Sequence, residues 1–322
     1  MKEIALTSID NIWIGHADNQ DDGTGCSVIL CEKGAPTGVD VRGGGPASRE
    51  TQLLQPMAAA TAIHGVLLSG GSAFSLGAAD GVVKYLAEKD IGFDTGIKKV
   101  PLVCQSAIFD LVVGSVDAYP DANMAYNACL DAKRRVLREG NVGAGMGATV
   151  GKYKGLTRMM KSGIGTYAVQ IGELQVGAVV VVNALGDILD PQTGQQIAGL
   201  LSEDGQSLVS TEGEMYKDYS AVDSLFTKNP TNTTIGVIVT NAAFDKVSLQ
   251  KIAGMAHNGM ARTISPVHTG ADGDTLYAMS VGEVSADVNI VGTLAARVTA
   301  EAILRGVGKA ENLYGLKSAK DF

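Results

Sequence analysis

The sequence predicts a layered α/β fold, and three observations carry that expectation. Apolar runs of strand length alternate with stretches of helical period along most of the chain. At 322 residues the chain can bury a large core, as one big domain or as two. It holds 41 Gly against six Phe and one Trp, which suits close approach of strands and helices and not a bulky aromatic interior. We treat 1–322 as one domain.

The elements follow in order. GCSVILC, 25–31, reads as an early strand. Residues 34–52, GAPTGVDVRGGGPASRETQ, read as a long glycine-rich loop carrying Asp40, Arg42, Arg49 and Glu50. His64–Leu68 is a strand, Gly70-Gly71 a turn, and Ala73–Lys89 a helix, with Phe74, Ala78, Val82, Val83 and Leu86 near a 3.6 period. Pro101–Cys104 reads as a strand and Asn123–Glu139 as a helix stopped by Gly140. GNVGAGMGATVGKYKG, 140–155, matches neither a dinucleotide fingerprint nor a P-loop, because Tyr153 stands where Ser or Thr should hold magnesium. Ile164–Gln170 and Glu173–Asn183 alternate like sheet. From Pro191 to Asn232 the chain is polar, a linker, lid or excursion. Then come a strand at 234–240, a helix at 247–262, a turn at Asp272-Gly273-Asp274, a strand Thr275–Ser280 and a helix at 283–304.

Composition excludes several function classes. The formal net charge is −8, so nothing favours nucleic acid as a partner. Lys133-Arg134-Arg135 with Arg138 reads as the wet face of a helix. Cys26, Cys31, Cys104 and Cys129 are scattered without a CxxC, which points to buried thiols in a reducing compartment. His16, His64, His257 and His268 have no metal-ligand spacing, and neither a metal nor a cofactor is expected. MKEIALTSIDNIWIG lacks the long apolar run of a signal peptide, and apolar stretches such as Val176–Ala184 are too short to span a bilayer. The expected location is the cytoplasm.

The stretch KNPTNTTIGVIVTNA, 228–242, sets a polar turn against an apolar strand. It reads in two ways. One is a plain Asn/Thr turn entering a sheet. The other is a peptide bond, Asn232–Thr233, that the chain cuts in itself to expose a threonine whose free α-amine serves as its own base. Asn183 ends the strand VGAVVVVN and is either an oxyanion donor or a satisfied turn amide. Lys152 follows a glycine loop and is either a group that tunes a neighbour or a solvated cation. Asp272 and Asp274 flank Gly273, as a proton-handling pair or as a hydrogen-bonded turn. Arg42 and Arg49 are expected to pair with Asp40 and Glu50 instead of clamping a carboxylate. His64 is expected in the core, and His268 is the histidine nearest the aspartates.

Six blocks in order, GVDVRGGGPASRET, LSGGSAFSLGAADGV, GNVGAGMGATVGK, VVVNALGDI, NTTIGVIVTNA and RTISPVHTGADGDTLYA, resemble the DmpA-type P1 aminopeptidases, with their β-peptidyl aminopeptidase and nylon-oligomer hydrolase branches. The resemblance runs from Gly38 to Ala278. It implies a four-layer αββα sandwich, similar in layers to N-terminal nucleophile hydrolases but not in connectivity, and related to the ornithine acetyltransferases. It implies self-cleavage into 1–232 and 233–322, with the cut between Asn232 and Thr233 and assembly of the processed units into homo-oligomers. Thr233 matches the nucleophile, Asn183 the oxyanion asparagine, Lys152 the nearby lysine, and Asp272 and Asp274 the paired acids of the amide-hydrolase branch. The substrates implied are short peptides or amides with a free amino end. The alternatives are an acyltransferase of the ornithine acetyltransferase type and an uncleaved, inactive binding relative. Phe109 stands where many members carry Tyr; a phenyl ring cannot donate a hydrogen bond, and Tyr153 is the substitute donor considered.

Overall fold

The computed structural model describes residues 1–220 and 232–322. Its frame is two mixed sheets. The strands are β1 Lys2–Ile4, β2 Trp13–Asn19, β3 Thr24–Ala35, β4 Thr37–Val41, β5 Ala47–Arg49, β6 Ile63–Ser69, β7 Val103–Ala107, β8 Ile164–Ile171, β9 Leu174–Val181, β10 Ile235–Ala242 and β11 Thr275–Val284. One sheet has the order β1-β8-β9-β10-β11-β4 and the other β2-β3-β6-β7-β5. Each is antiparallel except for one parallel pair, β10 with β11 and β6 with β7. The main helices are α1 Ala79–Ala87, α2 Ala122–Ala132, α3 Lys246–Thr263 and α4 Val288–Gly308.

The apolar runs of β9, β10 and β11 are continuous because both faces of these strands are covered. Along β9, Val176, Ala178 and Val180 join the core under α3 and α4, while Val179 and Val181 face the core between the sheets. Tyr277 and Met279 of β11 meet Val66 and Leu68 of β6 in that same inner core. In β3, Cys26, Val28 and Leu30 face α1 and α2, whereas Ile29 and Cys31 face inward.

The glycine content has a packing reason. A Cβ on Gly165 of β8 would stand 2.1 Å from the Ala302 carbonyl of α4, and one on Gly259 of α3 would stand 2.2 Å from the Ala296 carbonyl. Helix α4 therefore lies backbone against backbone on its neighbours. Asp121, Asp245 and Asp287 accept backbone N–H groups at the starts of α2, α3 and α4.

Several expected elements are corrected. The glycine-rich stretch 34–52 carries β4 and β5, and β4 closes the edge of the six-stranded sheet against β11. The helix expected at Ala73–Lys89 opens as 3-10 turns over Ser72–Ala78 before becoming α1. The helix expected to reach Glu139 stops at Ala132, and Arg135 takes a left-handed φ of 53°. β11 continues to Val284, which moves the start of the last helix to Val288. The polar region contains a strand Gln196–Ala198 and a helix Thr211–Lys217; its residues 221–231 lie outside those described. No helix among the described residues is long and apolar enough to cross a membrane.

Candidate active site

Register assembles the site. Val181 of β9 pairs with Ile235 of β10, and Ile235 pairs with Thr275 of β11. Extending those pairings two or three residues toward the strand ends brings three segments side by side. The Thr233 N–H donates to the Asn183 carbonyl (2.9 Å), and Asn232 bridges to Asp272. The Thr234 N–H donates to Asp274 Oδ1 (2.7 Å) and the Thr275 N–H to the Thr234 carbonyl (3.1 Å). Residues scattered from Asn183 to Thr275 thus meet because three neighbouring strands end at one level.

Asn232 and Thr233 are both buried. The Thr233 hydroxyl donates to the Asn232 carbonyl oxygen. That same oxygen accepts the Gly273 N–H at 3.0 Å. A Cβ on Gly273 would stand 2.8 Å from Thr233 Oγ1 and 2.9 Å from the Gly45 carbonyl, so glycine leaves the room the hydroxyl occupies. The glycine-rich stretch before β5 fixes this turn from above. Arg42 N–H donates to the Asp274 carbonyl (3.0 Å) and Gly45 N–H to the Asp272 carbonyl (2.8 Å).

The two aspartates are not equivalent. Both oxygens of Asp274 are engaged in holding backbone and ring: Oδ1 by Thr234, Oδ2 by the N–H and Nδ1 of His268 (3.2 and 2.8 Å). Asp272 Oδ2 accepts the Thr269 N–H (2.8 Å) and hydroxyl (2.5 Å). Burial, reinforced by the neighbouring Asp274 charge, pushes the Asp272 carboxyl above the usual carboxylate range.

Lys152 is fully buried, which excludes the solvated alternative. Its ammonium donates to the Asn183 carbonyl (3.0 Å) and to Asn183 Oδ1 (2.8 Å). Burial brings its pKa down to about 7, opposed by Asp272, Asp110 and Asp274. Asn183 Oδ1 also accepts the Thr149 N–H (3.0 Å), and its Nδ2 donates to the Phe109 carbonyl (3.1 Å). The side-chain amide is therefore oriented from both ends, with its nitrogen on the Phe109 side.

Phe109 takes part through its carbonyl. Tyr153 does not replace a missing phenol, because its hydroxyl donates to Asp218 (3.1 Å). Arg42 pairs with Asp40 as expected (2.8 Å), but Arg49 reaches Asp80 (2.7 Å) and not Glu50, whose left-handed backbone turns it away. His64 is a core residue whose Nδ1 accepts the Leu102 N–H. The cysteines are all free and buried, and burial pushes the Cys31, Cys104 and Cys129 thiols up to about 12.

Two buried charges escaped the sequence reading. Asp110 accepts the Gly71 N–H (2.6 Å) and the Thr24 hydroxyl (2.8 Å), and burial pushes its carboxyl up to about 6. It anchors the turn that presents the Phe109 carbonyl. Lys161 donates to the Gly145, Ala148 and Ser162 carbonyls (3.1, 2.8 and 2.6 Å) and holds the turn that delivers Thr149 to Asn183. A lone Asp after Phe and a lone Lys after two Met carry no pattern that marks them.

A threonine hydroxyl set against the carbonyl of the residue before it, on paired layers of sheet, is the arrangement of the self-processing N-terminal nucleophile hydrolases. The family model of peptidase family S58 matches residues 5–320, and the chain belongs to that family. An uncharacterized aminopeptidase of Mycobacterium bovis is 36% identical, with 98% of this chain and 97% of that protein covered. A 6-aminohexanoate-oligomer endohydrolase of an Agromyces strain is 30% identical, with 94% of this chain and 86% of that protein covered. Among solved structures, the L-aminopeptidase D-Ala-esterase/amidase of Ochrobactrum anthropi, described as a variant of the Ntn hydrolase fold, superposes with a TM-score of 0.74. Its sequence identity is 16%, over 98% of this chain and 90% of that one.

Proposed function

We propose that Thr233 is the nucleophile of an aminopeptidase or amide hydrolase that first cuts its own chain after Asn232. The carrying observation is the Asn232 carbonyl, which faces the Thr233 hydroxyl while the Gly273 N–H already points at its oxygen. In processing, Thr233 Oγ1 bonds to the Asn232 carbonyl carbon, and negative charge develops on the oxygen that Gly273 holds. The C–N bond then breaks as the nitrogen takes the proton, leaving an ester. Water hydrolyses that ester to an Asn232 carboxylate and a free Thr233 α-amine, giving chains 1–232 and 233–322.

The new amine inherits the Asn183 carbonyl as its anchor, and Lys152 shares that carbonyl. A cationic neighbour disfavours protonation of the amine, which keeps it available as the base. In turnover Thr233 Oγ1 attacks a substrate carbonyl and the amine accepts its proton. Asn183 Nδ2 serves the oxyanion, the substrate amine leaves with the transferred proton, and water releases the acid. Asp272, held partly protonated by burial, is the acid–base member of the pair. The substrates are short peptides or amides with a free amino end. The relatives' aminopeptidase and oligomer-hydrolase activities support that class.

The outer helices and paired sheets support reading the fold as a four-layer αββα sandwich. The processed units are proposed to form homo-oligomers, and four buried free thiols support a cytoplasmic location.

Intact mass under denaturing conditions tests the proposal. Wild type is expected to give pieces of about 24 and about 9 kDa whose sum exceeds the 33.2 kDa precursor by one water, while Thr233→Ala stays whole. A Thr233→Ala chain that cuts at the same bond overturns the assignment.

A further inference from the structure

His268 has a backbone that few residues tolerate. Its φ is +56°, in the left-handed region. That conformation folds its N–H and its Nδ1 onto the same oxygen, Asp274 Oδ2, at 3.2 and 2.8 Å. Both contacts are donations if the ring carries its proton on Nδ1. Asp274 in turn holds the Thr234 N–H, one residue after the nucleophile.

The ring is itself braced. His257 of α3 meets it edge to face, with centroids 4.7 Å apart and planes at 74°. His257 Nε2 lies 3.0 Å from the Asp40 carbonyl. A carbonyl only accepts, so His257 carries its proton on Nε2. Asp40 is clamped by Arg42 Nε (2.8 Å), and Arg42 Nη2 donates to the Gly254 carbonyl (2.8 Å). Among the described residues, the remaining ring nitrogens, His257 Nδ1 and His268 Nε2, are buried without a hydrogen-bond partner.

We infer that His268 is a positioning residue: as the Nδ1–H tautomer, fixed by His257, it holds the Asp274 side chain in place so that Asp274 locks the strand start that aims Thr233. The inference rests on Thr233 being the nucleophile. The groups facing this cluster are Asp272 and Asp274 from the turn, Lys152 from the glycine loop, His257 from α3, and Asp40 and Arg42 from the β4 end. Burial and its histidine neighbour hold His257 below the usual imidazole range, which keeps that brace uncharged.

The test compares His268→Ala with His268→Asn. Asparagine tolerates a left-handed φ and presents an amide N–H in place of the ring donor. His268→Ala is expected to lower kcat by about tenfold with KM little changed, because Asp274 has lost the ring donor that fixes it and with it the strand start. His268→Asn is expected to restore kcat to near wild type. An unchanged kcat in His268→Ala, or the same loss in both variants, reduces His268 to a space-filling role and overturns the inference. A second measurement is independent of the nucleophile. In uncut Thr233→Ala protein, 15N spectra of labelled histidine are expected to show His268 protonated on Nδ1 and His257 on Nε2. A His268 ring protonated on Nε2 alone overturns the inference even if Thr233 proves to be the nucleophile. If wild type itself never cuts, the expected tautomer leaves the geometry standing and removes only the role of Thr233.

Discussion

Gly273→Ala is the sharpest perturbation of the site. The added methyl carbon would stand 2.8 Å from Thr233 Oγ1, 2.9 Å from the Gly45 carbonyl and 3.2 Å from Pro46 Cα. Ordinary carbon–oxygen contact begins several tenths of an ångström further out, and two of the three neighbours are backbone. The yielding group is the Thr233 hydroxyl, which can turn away from the Asn232 carbonyl. Overpacking of this kind costs about 1–3 kcal/mol, and a nucleophile displaced by about 1 Å loses about 100-fold in rate. The Gly273 N–H survives the substitution, so the effect isolates the position of the hydroxyl. Self-cleavage followed by intact mass against time, with steady-state hydrolysis of a short amide on the processed fraction, reads both reactions. Gly308→Ala is the control, since nothing lies within 4 Å of its added carbon; it is expected to behave as wild type. A Gly273→Ala chain that cuts and turns over at the wild-type rate refutes the register argument that puts the hydroxyl opposite this glycine.

Lys152 titrates near 7, so the rate of self-cleavage is expected to rise with pH through about that value as the amine loses its proton. Lys152→Met is expected to slow cleavage by about 100-fold and to abolish that limb; an unchanged limb assigns it to another group. Lys161→Met leaves three buried carbonyls without their donor and is expected to lower stability by about 3 kcal/mol in urea unfolding. It is also expected to flatten the pH dependence. The unfolded chain keeps the lysine proton to its ordinary value near 10.5, whereas the folded chain gives it up near 7, so wild type gains stability as pH rises between these values and the variant does not gain that part.

The strands that build the site were legible because each is buried on both faces. The run Val176–Val182 and the run Ile235–Val239 announce central strands, and the polar residues after the first, Asn183, and before the second, Thr233-Thr234, mark where the strands meet the site. β4 was hidden because an edge strand needs only one covered face, and its five residues include a glycine and an aspartate. The 3-10 start of the first helix was hidden because its apolar spacing fits either helix over one turn. Which partner a charge takes was legible only at short range. Asp40 lies in β4 and Arg42 just beyond its end, two residues apart, but Arg49 finds Asp80 through the sheet's folding onto α1. The family motifs pointed to Lys152, Asn183, Asp272 and Asp274. They did not tell that Asp274 holds the Thr234 N–H and His268 while Asp272 is held by Thr269.

Thr233 stands two residues before β10, and β10 lies between β9 and β11 in the middle of a six-stranded sheet. The small chain that the proposed cut would leave owns two interior strands and both helices α3 and α4, while β9 and β4, which flank those strands, would stay on the large chain. Such a cut would turn a single folded polypeptide into a heterodimer whose interface is its own hydrophobic core. Unfolding would then become dissociation, and recovery would depend on two different chains meeting again, so it would slow with dilution. A molecule processed in this way would have no unimolecular way back, and its lifetime would be set by how slowly the sheet opens.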